Sequence, residues 1–224
     1  MQLMREQAVP AKNNARVYRY APWTVVLVYV VLVAVAAGMF EVGVRKHVFF
    51  MKFIGVLFGC FMLLGRRFLT ARFRESNWLL RTDENGVYLK FRSFLNYHFP
   101  PDDLTVVFFP YREIRTAHRT RERRQNGMIG DNRRSVQTVT LVEVELTCDV
   151  TTLRTAVTEE NSRPGPKVKR WYGTSSSRVN HCPLVVDDEG RLRILWECTP
   201  SAANFLTELA PHAPVDRSTW IAAA

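Results

Sequence analysis

Two apolar runs occupy much of the first 65 residues, and they constrain the fold of this 224-residue chain more than any other feature. Residues 21–40 form the first run, which is long enough to cross a bilayer core of about 30 Å. Residues 48–65 form the second, interrupted by Lys52, whose long side chain can extend to the interface. The linker over residues 41–47 is too short for anything but antiparallel neighbours. The sequence therefore predicts a transmembrane helical hairpin over residues 21–65.

Positive charge is concentrated beside these runs. Residues 1–74 carry 11 Lys or Arg and two acids, a net charge of +9, whereas residues 75–224 carry 20 and 19, a net charge of +1. We expect a basic N-terminal segment over 1–20 and a basic linker over 66–76. Because these segments flank the hairpin, the positive-inside rule predicts that both termini and the soluble part are cytoplasmic. The nearly neutral remainder argues against a nucleic-acid-binding domain.

Small residues recur at helical spacing in both runs. Ala34 and Gly38 lie four apart in the first, and Gly55 and Gly59 lie four apart in the second. Such pairs let helix backbones approach closely in lipid. We expect these four residues to mediate helix packing, either within the hairpin or against a partner helix. A competing interpretation is that Ala34-Val-Ala36 is a signal-peptidase site.

Residues 77–211 read as a mainly β domain, followed by a tail over 212–224. Val87, Leu89 and Phe91 alternate with polar residues after Asn85-Gly86, a strong hairpin signal. Strands are predicted at 78–82, 87–92, 104–109, 112–119, 138–148, 183–186 and 191–196. Residues 151–160 suit either a short helix or a strand end, and residues 162–180 read as a long loop. Thr199 and Pro200 predict the start of an amphipathic helix.

Strands followed by one amphipathic helix are the layout of a pleckstrin-homology (PH)-like domain. The chain resembles bacterial membrane proteins in which a two-helix anchor precedes one PH-like domain, and residues 78–92, 105–119 and 191–210 carry the resemblance. It implies a membrane-anchored α+β protein whose PH-like antiparallel β-barrel or sandwich is capped by a C-terminal helix. Some proteins of that group help to assemble or stabilise membrane complexes, which suggests a bacterial cytoplasmic (inner) membrane location.

Catalytic and metal-binding patterns are missing from the sequence. It contains no P-loop, GxSxG or HExxH motif, and its histidines are scattered. The four cysteines include no CxxC pair, so we expect free thiols in a reducing compartment. The sequence predicts no cofactor, no metal and no enzymatic activity. A weaker alternative is an enzyme site that another chain completes around His98, His118 and Asp102.

Arginines form the most prominent polar feature. Those expected to contact lipid or a partner protein are Arg66, Arg67, Arg72, Arg74, Arg119, Arg121, Arg123, Arg124, Arg133 and Arg134. The group from Arg119 onward reads as a basic loop between early strands. We expect a non-catalytic accessory, assembly or scaffolding subunit of a larger membrane complex, with membrane lipids and other subunits as partners. The alternative is a sensor or adaptor that binds anionic lipid headgroups.

Overall fold

The computed structural model describes residues 1–10, 15–93, 96, 99–126, 135–164, 167–170, 173–176 and 182–216. Side chains at 22, 24, 64–69, 71, 124–126, 135–137, 167–170 and 173–176 are outside this description. The chain has an α+β fold and divides into two compact units. The helical unit is Ala21–Asn77, and the β unit combines Met1–Tyr20 with Trp78–Ala224.

Two helices make up the helical unit, α1 (Pro22–Arg45) and α2 (Phe49–Arg72). They run antiparallel: Gly43, late in α1, lies beside Lys52, early in α2, whereas the Tyr29 hydroxyl, early in α1, donates to the Met62 carbonyl oxygen, further along α2, at 3.2 Å. The helices also meet closely at Gly55, where an added Cβ would lie 2.9 Å from the Cβ of Phe40. A larger side chain at Gly55 would therefore push the helices apart.

The first sheet of the β unit has six strands in the spatial order β1-β5-β4-β3-β2-β12. These strands are β1 (Gln2–Arg5), β2 (Arg16–Tyr20), β3 (Leu80–Thr82), β4 (Gly86–Lys90), β5 (Leu104–Pro110) and β12 (Cys198–Thr199). All its pairings are antiparallel. Gly86 lies so close to β5 that an added Cβ would overlap the Phe109 carbonyl oxygen, which explains the glycine at this hairpin.

The sequence suggested that residues 1–20 form a separate basic segment. They instead supply two strands of this sheet. β1 pairs with β5 and β2 pairs with β3, with Tyr18 opposite Leu80. In β2, Tyr18 and Tyr20 are buried while Arg16 and Arg19 are exposed, so the strand alternates as a half-buried strand should. The helical unit is thus an insertion between two neighbouring strands of one sheet.

The second sheet has five strands in the order β10-β11-β7-β6-β13. They are β6 (Ile114–Asn126), β7 (Ser135–Leu146), β10 (Leu184–Val186), β11 (Leu192–Leu195) and β13 (Val215–Asp216). β13 runs parallel to β6, and the other pairs are antiparallel. β6 runs seven residues beyond its predicted end at residue 119. Within the predicted loop over 162–180, β8 (Lys167–Arg170) pairs with β9 (Gly173–Ser176).

The described strands form open sheets and do not close into a barrel, in contrast to the barrel alternative of the prediction. Tyr18 of the first sheet packs edge-on against Trp196, which follows β11, and against Phe205, with ring centroids 5.4 and 5.6 Å apart. Phe205 belongs to α4 (Ala202–Leu209), whose apolar face is buried. The hydrophobic core therefore joins both sheets to the last helix.

The capping of α4 differs from the prediction. The helix begins at Ala202, and Ser201, not Thr199, is the N-cap, because its hydroxyl accepts a hydrogen bond from the Asn204 backbone N–H at 3.4 Å. Thr199 instead lies in β12, where it pairs with Arg19. Tertiary pairing with β2 has taken this residue out of the helix that its local sequence favours.

Residues 6–9, which follow β1, cover the outer face of the first sheet. Val9 packs there with Trp78, Tyr88 and Val106 in a small hydrophobic cluster. Lys90 is buried on this face, and its ammonium lies 2.7 Å from the Glu6 carboxylate. Burial lowers the pKa of Lys90 below its ordinary value, although Glu6 opposes the change. Glu6 thus compensates a charge that the fold has removed from water.

Candidate functional site

The β6–β7 hairpin extends well beyond the rest of its sheet. β11 pairs with β7 only over residues 141–144, and β13 pairs with β6 only at Ala117 and His118. The last backbone contact along β7 is the Trp196 N–H donating to the Thr140 carbonyl oxygen at 2.9 Å. Beyond it, β6 and β7 pair only with each other within the described residues, for about 15 Å. We call residues 121–126 and 135–140 the hairpin arm.

One face of the hairpin carries three arginines in a row. Arg119, Arg121 and Arg123 alternate along β6 on the same side as the buried Ala117, and the last two are exposed. Opposite Arg121 and Arg123 on β7 lie Thr140 and Thr138, which carry no charge. This face of the arm is therefore positively charged.

The acids of this region lie on the other face. Arg193 reaches Glu122 at 3.3 Å and Glu143 at 3.1 Å, and His118 lies 3.2 Å from Glu143. The expected basic loop at Arg119–Arg124 is thus a paired strand, because β7 supplies backbone partners for all of it. Strand alternation, not loop flexibility, places Arg119, Arg121 and Arg123 on a common face.

The other predicted arginines lie elsewhere or outside the description. Arg72 ends α2 and donates to the Ala21 carbonyl oxygen at 3.1 Å, while Arg74 is exposed just after α2. Three more lie in described elements but have no described side chain: Arg66 and Arg67 in α2, and Arg124 in β6. Arg133 and Arg134 lie outside the described residues. The predicted set is therefore split between the two units.

Helix α1 is the most apolar element. Over Val25–Arg45 its mean hydropathy is 2.6, and among the described residues it alone is long and apolar enough to cross a membrane. A signal sequence near the N-terminus has the same properties. The apolar part of α2, Phe49–Leu63, is shorter. The composition of α1 is that of a membrane anchor or a signal sequence.

A shallow apolar groove of about 460 Å³ runs along the helix pair. Its walls include Ala36, Ala37 and Phe40 of α1, with Gly55 and Gly59 of α2. Of the four small residues singled out from the sequence, Gly55 contacts α1, and Gly59 lines the groove with open space around it. Ala34 and Gly38 are exposed and lie outside the groove lining.

A buried ion cluster joins the end of β4 to helix α3 (Thr151–Ser162). Arg92 Nε and Nη2 donate to Glu160 at 2.7 and 2.8 Å, and Nη2 also donates to Asp103 at 2.6 Å. Arg163 Nη1 lies 2.5 Å from the same Asp103 oxygen, and both guanidinium groups stack on the Phe99 ring. Burial alone would raise the pKa of Asp103, but the two arginines hold it below its ordinary value. No sequence motif signalled this cluster.

Glu208 of α4 holds a second cluster. Its carboxylate accepts hydrogen bonds from Tyr18 at 2.6 Å, from Arg16 at 3.0 Å and from Thr82. Burial, reinforced by Glu208, raises the pKa of Tyr18. This carboxylate therefore ties the last helix to β2 and β3.

Two of the three groups considered for catalysis, His118 and Asp102, lie in the described residues. His118 pairs with Glu143, His212 stacks on Tyr111 with ring centroids 4.0 Å apart, and Asp102 is exposed. His98 lies outside the described residues. Among the residues that the structure describes, no group of three or more His, Cys, Asp or Glu is arranged to hold a metal ion. All four cysteines are free thiols, and burial raises the pKa of Cys182 to about 11.

The chain matches no protein-family model, no curated protein and no solved structure.

Proposed function

We propose that this chain is a non-catalytic accessory or assembly subunit of a larger membrane protein complex. In this proposal α1 and α2 form a two-helix transmembrane hairpin in the bacterial cytoplasmic membrane. The β unit is an open variant of a PH-like domain on the cytoplasmic side. The observation that carries the proposal is the groove on the helix pair, which offers small residues to a partner helix.

Apolar exposure supports a lipid environment for α1. Trp23 and Leu27 are 74% and 66% exposed, and apolar side chains surround the helix. A helix that is apolar all round is ordinarily buried in protein or in a bilayer. This surface is uncovered within the helical unit, which favours lipid as its solvent.

Chain connectivity supports two crossings instead of one. β2 precedes α1, β3 follows α2, and these two strands are hydrogen-bonded neighbours. If α1 alone crossed the membrane, β2 and β3 would lie on opposite sides and could not pair. Cleavage at Ala34-Val-Ala36 would likewise remove β1 and β2 from the chain that carries their partners. Both points favour a helical hairpin whose two ends lie on the same side of the membrane.

The groove supports contact with another helix. Within lipid, helices associate by close packing at small residues, because burial of apolar surface gives no advantage there. Among the described residues, no atom lies within 4 Å of a Cβ added at Gly59, so its surface is open for an approaching backbone. The neighbouring Gly55 is already used by α1. The helix pair thus has an internal contact and a separate open face.

Gly59→Leu tests this proposal, because the new side chain fills the groove without entering the α1–α2 contact. We expect the variant to insert normally but to lose the subunits that co-purify with the wild-type chain in mild detergent, as measured by mass spectrometry. Gly38→Leu is the matched control, since Gly38 is also open but lies outside the groove. A wild-type chain that runs as a lone monomer and retains no other subunit would refute the proposal.

The hairpin arm favours a second candidate function, contact with anionic lipid headgroups. Each basic side chain near an anionic leaflet contributes about 1 kcal/mol, so Arg121 and Arg123 together would strengthen contact about 30-fold. We expect the arm amides to exchange more slowly with solvent deuterium in phosphatidylglycerol nanodiscs than in phosphatidylcholine nanodiscs. The protection should disappear in Arg121→Gln/Arg123→Gln and persist in Arg115→Gln, an exposed arginine of the same strand. Equal exchange in both lipids would exclude this function.

A further inference from the structure

A second groove, of about 730 Å³, lies in the β unit between strand β1 and helix α3. Its walls include Leu3, Phe91 and Leu104 on the sheet side, and Thr155, Ala156 and Glu159 on the helix side. Its volume falls within the range of ligand sites, about 300–1,000 Å³. Nothing in the roles proposed for the helical unit or the hairpin arm uses this groove.

The strand beside this groove is an edge strand. β1 pairs with β5 along one side, with Gln2 opposite Phe108 and Met4 opposite Val106. On its other side, β1 has no strand neighbour within the described residues. In an antiparallel edge strand, alternate backbone N–H and C=O groups point away from the sheet and remain available. An extended polypeptide can use such groups by adding a strand.

The groove offers two kinds of side-chain contact. Leu104 is 52% exposed and Leu3 is half-buried, and together they give the groove an apolar surface beside β1. Glu159 is exposed, and among the described residues its carboxylate has no ion pair or hydrogen bond. Of the three acids that line the groove, Asp103 and Glu160 pair with Arg92 and Arg163, which leaves Glu159 to receive a cationic side chain. The rim therefore favours a cationic side chain.

The buried ion cluster makes this groove a preformed feature. Glu160 lines it, and the two hydrogen bonds from Arg92 fix that carboxylate to the end of β4. Leu153 and Val157, on the other side of α3, are buried. The helix wall is thus held at a set distance from β1. A preformed groove reduces the entropy lost when a flexible segment binds.

We propose that this groove binds an extended segment of a partner polypeptide, which pairs with β1 as an added strand. An apolar side chain of the segment packs on Leu3 and Leu104, and a lysine or arginine two residues along the same face pairs with Glu159. This contact is independent of the helix contact proposed above, because it lies wholly in the β unit. It assigns the β unit the recognition of a basic, extended peptide.

The test uses the full chain in detergent micelles and a synthetic peptide, acetyl-Thr-Val-Thr-Lys-Thr-NH₂, as the probe. We expect saturable binding by calorimetry and slower deuterium exchange of the β1 amides in its presence. Leu104→Asp should weaken binding at least tenfold. Val185→Asp, at a strand residue that is 48% exposed and outside the groove, should leave it unchanged. Glu159→Gln should weaken binding of the lysine peptide but not of a peptide with Gln in its place.

Other outcomes overturn the proposal. Absence of binding, or binding that Leu104→Asp and Val185→Asp affect equally, would show that the groove is not a peptide site. Protection of β1 without added peptide, together with a dimer that Leu104→Asp dissociates, would assign the edge to a second copy of the chain. Neither result bears on co-purification through Gly59, so the two proposals fail separately.

Discussion

Arg92 and Glu160 form a two-bond ion pair in the interior of the β unit, although 68 residues separate them in sequence. Arg92 Nε and Nη2 lie 2.7 and 2.8 Å from the two carboxylate oxygens, and the side chains are only 7% and 6% exposed. Two parallel bonds fix the plane of both groups. The pair therefore sets the position of α3 against the first sheet.

Removal of Arg92 should destabilise the β unit strongly. Arg92→Met leaves Glu160 buried without its partner, which costs about 3–5 kcal/mol. The measurement is the free energy of unfolding of the full chain in detergent, followed by tryptophan fluorescence during a urea titration. Arg115→Met removes an exposed partner of Glu145 and should change the stability by about 1 kcal/mol or less. If Arg92→Met lowered the free energy of unfolding as little as Arg115→Met, the stabilising role of the buried Arg92–Glu160 pair would be contradicted.

Acid should weaken the ion pairs of the same cluster. The pKa of Asp103 is lower in the folded protein than its ordinary value of 3.8, so its ion pairs contribute fully above that pH. This contribution falls as the pH drops through the folded pKa, because protonation then removes the charge that Arg92 and Arg163 contact. We expect Asp103→Asn to be less stable than wild type at neutral pH and to lose less stability below about pH 4. Asp102→Asn changes an exposed neighbour, so its free energy of unfolding should follow the wild-type pH dependence. If Asp103→Asn and wild type showed parallel pH dependence, the role of the Asp103 ion pairs would be contradicted.

Loss of the Glu208 carboxylate should loosen α4 from the first sheet. Glu208→Ala removes the acceptor of Tyr18, Arg16 and Thr82, so we expect a loss of about 2–3 kcal/mol in the free energy of unfolding. The pKa of Tyr18 should also fall, since Glu208 helps to raise it, and ultraviolet titration of tyrosine would detect this. Glu197→Ala, at an exposed position, should stay within about 0.5 kcal/mol of wild type.

Substitution of Gly55 should disrupt the helix pair. The side chain in Gly55→Leu would meet the Phe40 Cβ and the Ala36 carbonyl oxygen, both about 3 Å from an added Cβ. We expect a loss of about 1–3 kcal/mol, measured by SDS titration of helix content in detergent. Gly59→Leu should unfold at the wild-type SDS concentration, since no described atom lies within 4 Å of a Cβ added there. Equal effects at the two glycines would argue against a close contact between Gly55 and α1.

Local sequence patterns identified most regular elements of the chain but not their partners. Alternation from Val87 to Phe91 and the Asn85-Gly86 turn predicted the β3–β4 hairpin. The same alternation in Arg16-Val-Tyr-Arg-Tyr20 was a usable signal for β2, but the neighbouring positive charge drew the interpretation toward a membrane flank. Pairing of β2 with β3 spans about 60 residues, and no local pattern encodes such a contact.

The candidate sites show the same limit. The arginines from Arg119 onward were evident in sequence, yet only pairing with β7 places Arg119, Arg121 and Arg123 on one face. The groove beside β1 was not predicted at all, because its lining residues come from β1, the end of β4, the start of β5 and α3. A ligand site built from four distant segments leaves no spacing for a motif search to find.

The sequence by itself determined that residues 21–65 are largely apolar and that most surplus charge flanks them, and it predicted two helices there, because hydropathy and charge are properties of single residues summed over a window. It also predicted a strand-rich remainder, since strand alternation is local. The tertiary structure alone decided that residues 1–20 complete the first sheet, that its edge is β1, and that Arg92 meets Glu160. Backbone pairing and burial of charge depend on contacts between distant segments, and only the folded chain brings those segments together.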